Sequence, residues 1–177
     1  MTASISLRPI TPGDQQLLYR IYAGTRQEEL QPLEWSEEER ERFLRFQFGA
    51  QHEHYQEHFG GADFSLILVD GEPVGRLYLD RRPDELRIVD IALLPEHRRK
   101  GIGGSLLRDI LVEARDGKLP VRIHVERNNP ALTLYEELGF VKTGDTGVYF
   151  LMERSWKTDG MPVPTSAVVD PKRESPS

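Results

Sequence analysis

The sequence has no cysteine, which excludes disulfides, thiolate-held zinc or iron–sulfur centres and a cysteine nucleophile. It also lacks any apolar run near the roughly 18 residues that a membrane-spanning helix needs. Met1–Arg8 shows no charged stretch followed by an apolar one, the pattern of a secretory leader. Positive charge is in deficit, with 23 Lys and Arg against 29 Asp and Glu, a net of −6. A general nucleic-acid binder needs a broad face of clustered cations to neutralise phosphates, so this balance speaks against one. These absences predict a cytoplasmic protein that partners neither membrane nor nucleic acid.

What is present suffices for one sizeable core: 177 residues, 38% of them hydrophobic. From Lys157 onward, Pro162, Pro164, Pro171 and Pro176 are interleaved with Gly160, Ser and Thr, and large apolar residues are few. We therefore expect one domain over 1–156 and a disordered tail over 157–177. Negative charge is concentrated early. Between Arg26 and Gly60, nine glutamates less four arginines leave a net of −5.

Patterning within the domain reads as alternating strands and helices. Ile5–Arg8 alternates, and Thr11-Pro12-Gly13-Asp14 turns into a helix carrying Leu17, Leu18, Ile21 and Tyr22. A second helix starts near Ser36, carries Leu44, Phe48, Gln51 and Tyr55, and ends near Gly60-Gly61. Phe64–Val69 and Val74–Leu79 flank the turn Asp70-Gly71-Glu72-Pro73, a hairpin signal. Glu85–Leu94 is too apolar for a surface strand and is expected at mid-sheet. A helix follows Gly101–Gly104, with Leu106, Leu107, Ile110, Leu111 and Ala114 on one side and Gly117 as its stop. Val121–Glu126 alternates as a strand. Asn128-Asn129-Pro130 then opens a short helix with an Asn cap and Pro at its first position, stopped at Gly139. A hairpin turning at Gly144-Asp145-Thr146-Gly147 closes the domain at Arg154. The order β-α-α-β-β-β-α-β-α-β-β predicts an α/β (α+β) fold with a mixed sheet.

The segment Leu94-Pro95-Glu96-His97-Arg98-Arg99-Lys100-Gly101-Ile102-Gly103-Gly104-Ser105 joins the buried strand to an amphipathic helix. Glycines let the backbone turn tightly and approach a ligand, while the first amides and the positive end of the helix dipole favour an anion. Arg98, Arg99 and Lys100 add cations in an otherwise acidic chain, which points to a phosphate or pyrophosphate. It is neither a Walker A loop nor a dinucleotide fingerprint, since Leu106 stands where the latter needs its third glycine.

These residues resemble a known family, the GCN5-related N-acetyltransferases (GNAT). Arg98-x-x-Gly101-x-Gly103 matches its Gln/Arg-x-x-Gly-x-Gly/Ala signature for acetyl-CoA, and Leu93-Leu94-Pro95 is similar to the strand end before it. Asn128-x-x-Ala131-x-x-Leu134-Tyr135-x-x-Leu138-Gly139-Phe140 is similar to its C-terminal motif. The resemblance implies a GNAT-like domain with a mixed sheet of about seven strands, flanked by helices, whose central parallel strands splay apart. It implies acetyl transfer from acetyl-CoA, as co-substrate, to a primary amine of a small molecule or a peptide, in a ternary complex without a metal. The backbone amides of Arg99, Lys100, Gly101, Ile102, Gly103 and Gly104 would cradle the pyrophosphate, Arg98 and Ser105 would also bind the cofactor, and Ile91, Ala92 and Leu93 would run beside the pantetheine arm. The Leu93 amide would serve as oxyanion donor, Asn128 would bind the cofactor where the strands part, and Tyr135 would protonate the departing thiolate. Some members carry a glutamate six residues before the position of Leu93, where this chain has Arg87; Glu85, Asp90, His124, Glu126 or a water relay remain as bases. A non-catalytic acyl-CoA-binding module is the alternative. The partners implied are acetyl-CoA and an amine acceptor, the protein being a monomer or homodimer.

Two further features compete for a function. His54-x-x-Glu57-His58 matches a zinc-hydrolase pattern, but a third ligand and a larger scaffold would be needed, so no metal is expected. The acidic 26–60 segment reads either as a solvated helix with pairs such as Glu38–Arg42 and Glu41–Arg45 or as a surface steering a cationic amine. Leu30, Leu33, Trp35, Phe43, Phe46 and Phe48 in that region line an acceptor pocket or pack on the sheet.

Overall fold

The fold is taken from a computed structural model that describes residues 3–157; the expected tail, Lys157 apart, lies outside the described residues. Alternating residues form β1 (Ile5–Pro9), and after a single tight turn at Pro12–Asp14 come α1 (Gln15–Leu30) and α2 (Glu37–His58). The Ser36 hydroxyl caps α2 by accepting from the Glu39 amide at 3.1 Å. The hairpin is β2 (Asp63–Val69) and β3 (Glu72–Arg81), with Asp70 and Gly71 both at positive φ in its two-residue turn. Then come β4 (Leu86–Leu93), α3 (Ile102–Gly117), β5 (Val121–Glu126), α4 (Leu132–Glu137), β6 (Val141–Asp145) and β7 (Tyr149–Arg154). The element order is the one read from the sequence.

The seven strands form one sheet in the order β1-β2-β3-β4-β5-β7-β6. β4 stands fourth of seven, at mid-sheet as expected. Every neighbouring pair is antiparallel except β4 and β5, which run parallel and pair only from Leu86 with Val121 to Ile88 with Ile123. On the β3 side, Leu79 faces Ile88 while Tyr78 faces Asp90, so Val89 is an extra residue in β4. Such a bulge bends the strand that carries it. Past Ile88 the two parallel strands part. This is why Val89, Ile91, Ala92 and Leu93, apolar and central, are only half-buried.

One face of the sheet packs under α3 and α4 through Leu77, Ile88, Ile102, Leu106, Ile110, Val125 and Leu138. The opposite face packs under α1 and α2 through Leu18, Ile21, Leu44, Phe48, Leu66 and Leu94. Three local readings need correction. Gly117 is still helical, and Lys118 takes the left-handed turn that stops α3; its amide bonds there to the Arg115 carbonyl at 3.2 Å. Helix α4 begins at Leu132 rather than at Pro130, because the Asn129 side chain instead closes a turn on the Ala131 amide at 2.8 Å. Gly144 and Asp145 belong to β6, so the last turn is shorter, and β7 returns between β5 and β6.

Candidate active site

The gap between β4 and β5 organises the site. Leu94 donates its amide to the Val74 carbonyl at 2.8 Å, and strand alternation then turns the Leu93 amide to the other edge, toward the parted strands. Leu93 sits opposite Gly75 of β3. A Cβ on Gly75 would collide with the Ala92 carbonyl oxygen and lie 2.8 Å from Leu93 Cδ2, so the strand end is positioned by the absence of a side chain there. Gly75 was missed in the sequence, where a glycine inside the run Val74–Leu79 was its signal.

The loop after β4 curls as a nest of amides. Arg99 and Gly101 both take positive φ on either side of Lys100, a geometry that turns successive N–H groups into one concavity. The first bond of α3 is the Ser105 amide to the Gly101 carbonyl at 3.0 Å, which leaves the amides of Ile102, Gly103 and Gly104 without an intrahelical partner. Gly103 is informative. It lies inside the helix without positive φ, and a Cβ built on it meets no protein atom within 4 Å. Neither conformation nor packing requires glycine at that place, and its backbone stays open to close approach.

Arg98 departs from expectation. Its guanidinium donates to the Leu93 carbonyl at 3.2 Å and to the Gly24 carbonyl of α1 at 3.0 Å. It ties the loop to the strand end and to α1; all three cations of the loop are exposed, and Arg99 and Lys100 lack such a tie among the described residues. Ser105 is buried. Asn128 is exposed in the turn after β5 and makes no hydrogen bond among the described residues.

Tyr135 on α4 is buried, edge-on to Phe140 at 5.6 Å. Desolvation first, and the negative charge of Asp90 second, hold its phenol well above the ordinary tyrosine range. It therefore keeps its proton at neutral pH. Asp90 follows the bulge and accepts from Arg76 at 2.7 Å and from the Tyr55 hydroxyl at 3.0 Å. Arg76 also donates to Gln51 of α2 at 2.8 Å. This buried cluster locks α2 onto the strand pair where β4 leaves β5. Its signal in the sequence was a lone Arg and a lone Asp in two otherwise apolar strand runs.

On the α1 and α2 face, at the end of β5, lies a cleft of about 360 Å³ lined by Tyr22, Arg26, Gln47, Gln51, Glu126 and Tyr149 among others. A larger open groove of about 800 Å³ runs along β1, β2 and α2 and touches neither the glycine loop nor Tyr135. Of the four base candidates, Glu85 is buried and bridges Arg87 at 3.1 Å and Arg82 at 3.5 Å. Asp90 is held as described. His124 meets the Arg87 guanidinium through Nδ1 at 2.9 Å; since arginine only donates, Nδ1 accepts and the lone pair is occupied. Burial and then the Arg87 charge push its pKa down. Glu126 alone of the four lines the cleft.

The nine glutamates of the 26–60 segment are all exposed, and none lines the cleft. Arg45 pairs with Glu41 at 3.0 Å, as expected of a solvated helix. Leu30 and Phe48 are buried in the core, Trp35 stacks edge-on with Phe43 at 5.1 Å, and Leu33 and Phe46 stay exposed. His54 and His58 stack at 4.2 Å on the exposed side of α2. Among the described residues no three metal-ligating side chains converge. No helix there is long and apolar enough to cross a membrane.

Residues 19–140 match the family described as Acetyltransferase (GNAT) family. The chain is similar to an N-alpha-acetyltransferase of Saccharolobus solfataricus, 32% identical over 51% of this chain and 62% of that protein. It is also similar to the N-alpha-acetyltransferase RimI of Mycobacterium tuberculosis, 34% identical over 49% of this chain and 54% of that one. It thus spans little more than half the length of these curated relatives. The PaiA N-acetyltransferase of Thermoplasma acidophilum, solved in complex with coenzyme A, has the same fold, with a TM-score of 0.65 at 22% identity over 86% of this chain and 99% of that one.

Proposed function

The chain belongs to the acetyltransferase (GNAT) family, and from that premise we propose that it transfers the acetyl group of acetyl-CoA to a primary amine. The observation that carries this reading is the three-residue pairing of β4 with β5, which opens a slot beside the glycine loop. The residues fit the co-substrate. Open amides at Ile102–Gly104 and the nest at Arg99–Gly101 suit a pyrophosphate, and the unpaired edge of Ile91–Leu93 suits a ladder with the amide-bearing pantetheine arm. The exposed Asn128 is available where the slot ends.

The amine enters from the α1 and α2 face, and Glu126 receives it as the ammonium. Once one proton has passed to solvent, the nitrogen lone pair attacks the thioester carbon, the C–S bond breaks as the tetrahedral intermediate collapses, and the nitrogen gives up a second proton to solvent to leave the neutral amide. The Leu93 amide holds the developing oxyanion. Tyr135 donates its phenolic proton to the departing thiolate and is reprotonated from solvent. No acyl-enzyme forms, so the missing cysteine costs nothing. A binding module without turnover would have no use for a protonated phenol or for a carboxylate-bearing cleft on the opposite face. The domain is proposed to run over 1–156, as a monomer or homodimer.

Tyr135→Phe tests the assignment. It is expected to lower kcat for thiol release about 100-fold while leaving acetyl-CoA binding and thermal stability near the parent values. An unchanged kcat would remove Tyr135 from the mechanism.

A further inference from the structure

The cleft carries one charge of each sign. Glu126 Oε1 and Arg26 Nη1 stand 3.8 Å apart, beyond hydrogen-bond reach, and both side chains are partly open to solvent. Arg26 has one other ionic contact, Glu29 at 3.3 Å, and its Nε is buried without a partner. Other cleft groups are neutral: the Tyr22 hydroxyl is taken up by Gln47 at 3.3 Å, and Gln51 by Arg76. A polyamine would find a single counter-charge there and would be repelled by Arg26. The amidated carbon behind a peptide amino group would offer Arg26 no anion beyond Glu29 and Glu126. A group bearing ammonium and carboxylate on one carbon answers both charges side by side. The volume, about 360 Å³, suits one residue and not a folded chain. Ala50 lines the same cleft, and Phe46 lies one turn before it on α2, 75% exposed.

We propose that the acceptor is a free α-amino acid with an apolar side chain, its ammonium received by Glu126 and its carboxylate by Arg26. This rests on the acetyl-transfer reading and specifies its substrate class. Arg26 is then a specificity residue, reading the carboxylate through a guanidinium fork.

The test is steady-state thiol release from acetyl-CoA with L-leucine, L-leucinamide, 3-methylbutylamine and a leucine-initiated peptide. Leucine is expected to exceed leucinamide and the peptide in kcat/KM by at least ~10-fold, the range of one charge-assisted contact, chiefly through KM. Arg26→Met should erase most of that preference, and Arg26→Lys, which keeps the charge but loses the fork, should fall between. Thermal melts identify a variant that fails to fold, in which case the parent's acceptor ranking decides. Leucinamide or the peptide matching or beating leucine overturns the proposal while acetyl transfer stands. Absence of thiol release from every amine, with acetyl-CoA bound, overturns both.

Discussion

Gly103 and Gly75 differ in what a side chain would meet. At Gly75 a Cβ collides with the backbone of β4, whereas at Gly103 it meets nothing. Gly103→Ala should therefore fold at least as stably as the parent, since alanine is favoured over glycine in a helix by about 0.5–1 kcal/mol, yet bind coenzyme A more weakly. Gly103→Glu should abolish binding by filling the cradle with a carboxylate. Calorimetric titration with acetyl-CoA checks both, and full affinity in Gly103→Glu would refute the placement of the phosphates. Gly75→Ala should cost about 1–3 kcal/mol through forced shifts of packed backbone, and lower kcat because Leu93 moves with the strand. Asp90→Asn, which leaves Arg76 buried without its counter-charge, is expected to cost about 3–5 kcal/mol in urea unfolding. A loss well under 1 kcal/mol would show that the cluster is not holding α2 on the sheet.

At the scale of elements, the entry into α1 is pinned by one carboxylate. Asp14 accepts from both Nη atoms of Arg8 at 3.0 Å and from the Thr11 amide at 2.7 Å. The Arg8 hydrogen bonds, foremost, hold its carboxyl down to about 2. A folded-state value below the unfolded one, near 4, contributes stability that is complete above that value and is lost as pH falls through the lower one. Asp14→Asn should cost about 1 kcal/mol at neutral pH, a gap that closes between about pH 4 and 2. A gap that persists in acid would mean that the carboxylate is not its source. Element order was readable because burial period and caps are local: Ser36, Asp70-Gly71 and Gly139 each mark a boundary within their own few residues. The bulge at Val89, the parting of β4 from β5 and the return of β7 beside β5 were not. Each depends on partners distant in the chain. Arg98 shows the same limit: a cation beside glycines reads as a phosphate ligand until α1 brings the Gly24 carbonyl to it.

The whole molecule separates two chemistries by the sheet. The glycine loop and Tyr135 belong with α3 and α4 on one face, the charged cleft with α1 and α2 on the other, and the parted strands are the proposed passage between them. The net charge of −6 is carried largely by exposed glutamates that stay out of the cleft, so the charge total misrepresents the proposed acceptor side, whose lining carries Glu126 and Arg26. Of the proposed site, the strand end, the loop, Asn128 and Tyr135 were legible as motifs; Gly75, Arg76 and Arg26 were visible only once the chain was folded. The proposed passage lets an amine reach a thioester. Its most direct measurement is thiol release coupled to mass spectrometry of the acceptor, with acetyl-CoA and a panel of amino acids, peptides and polyamines. Multiple turnovers with an N-acetylated product on at least one amine are expected. Stoichiometric binding of acetyl-CoA with no acetylated product on any of them would contradict that expectation.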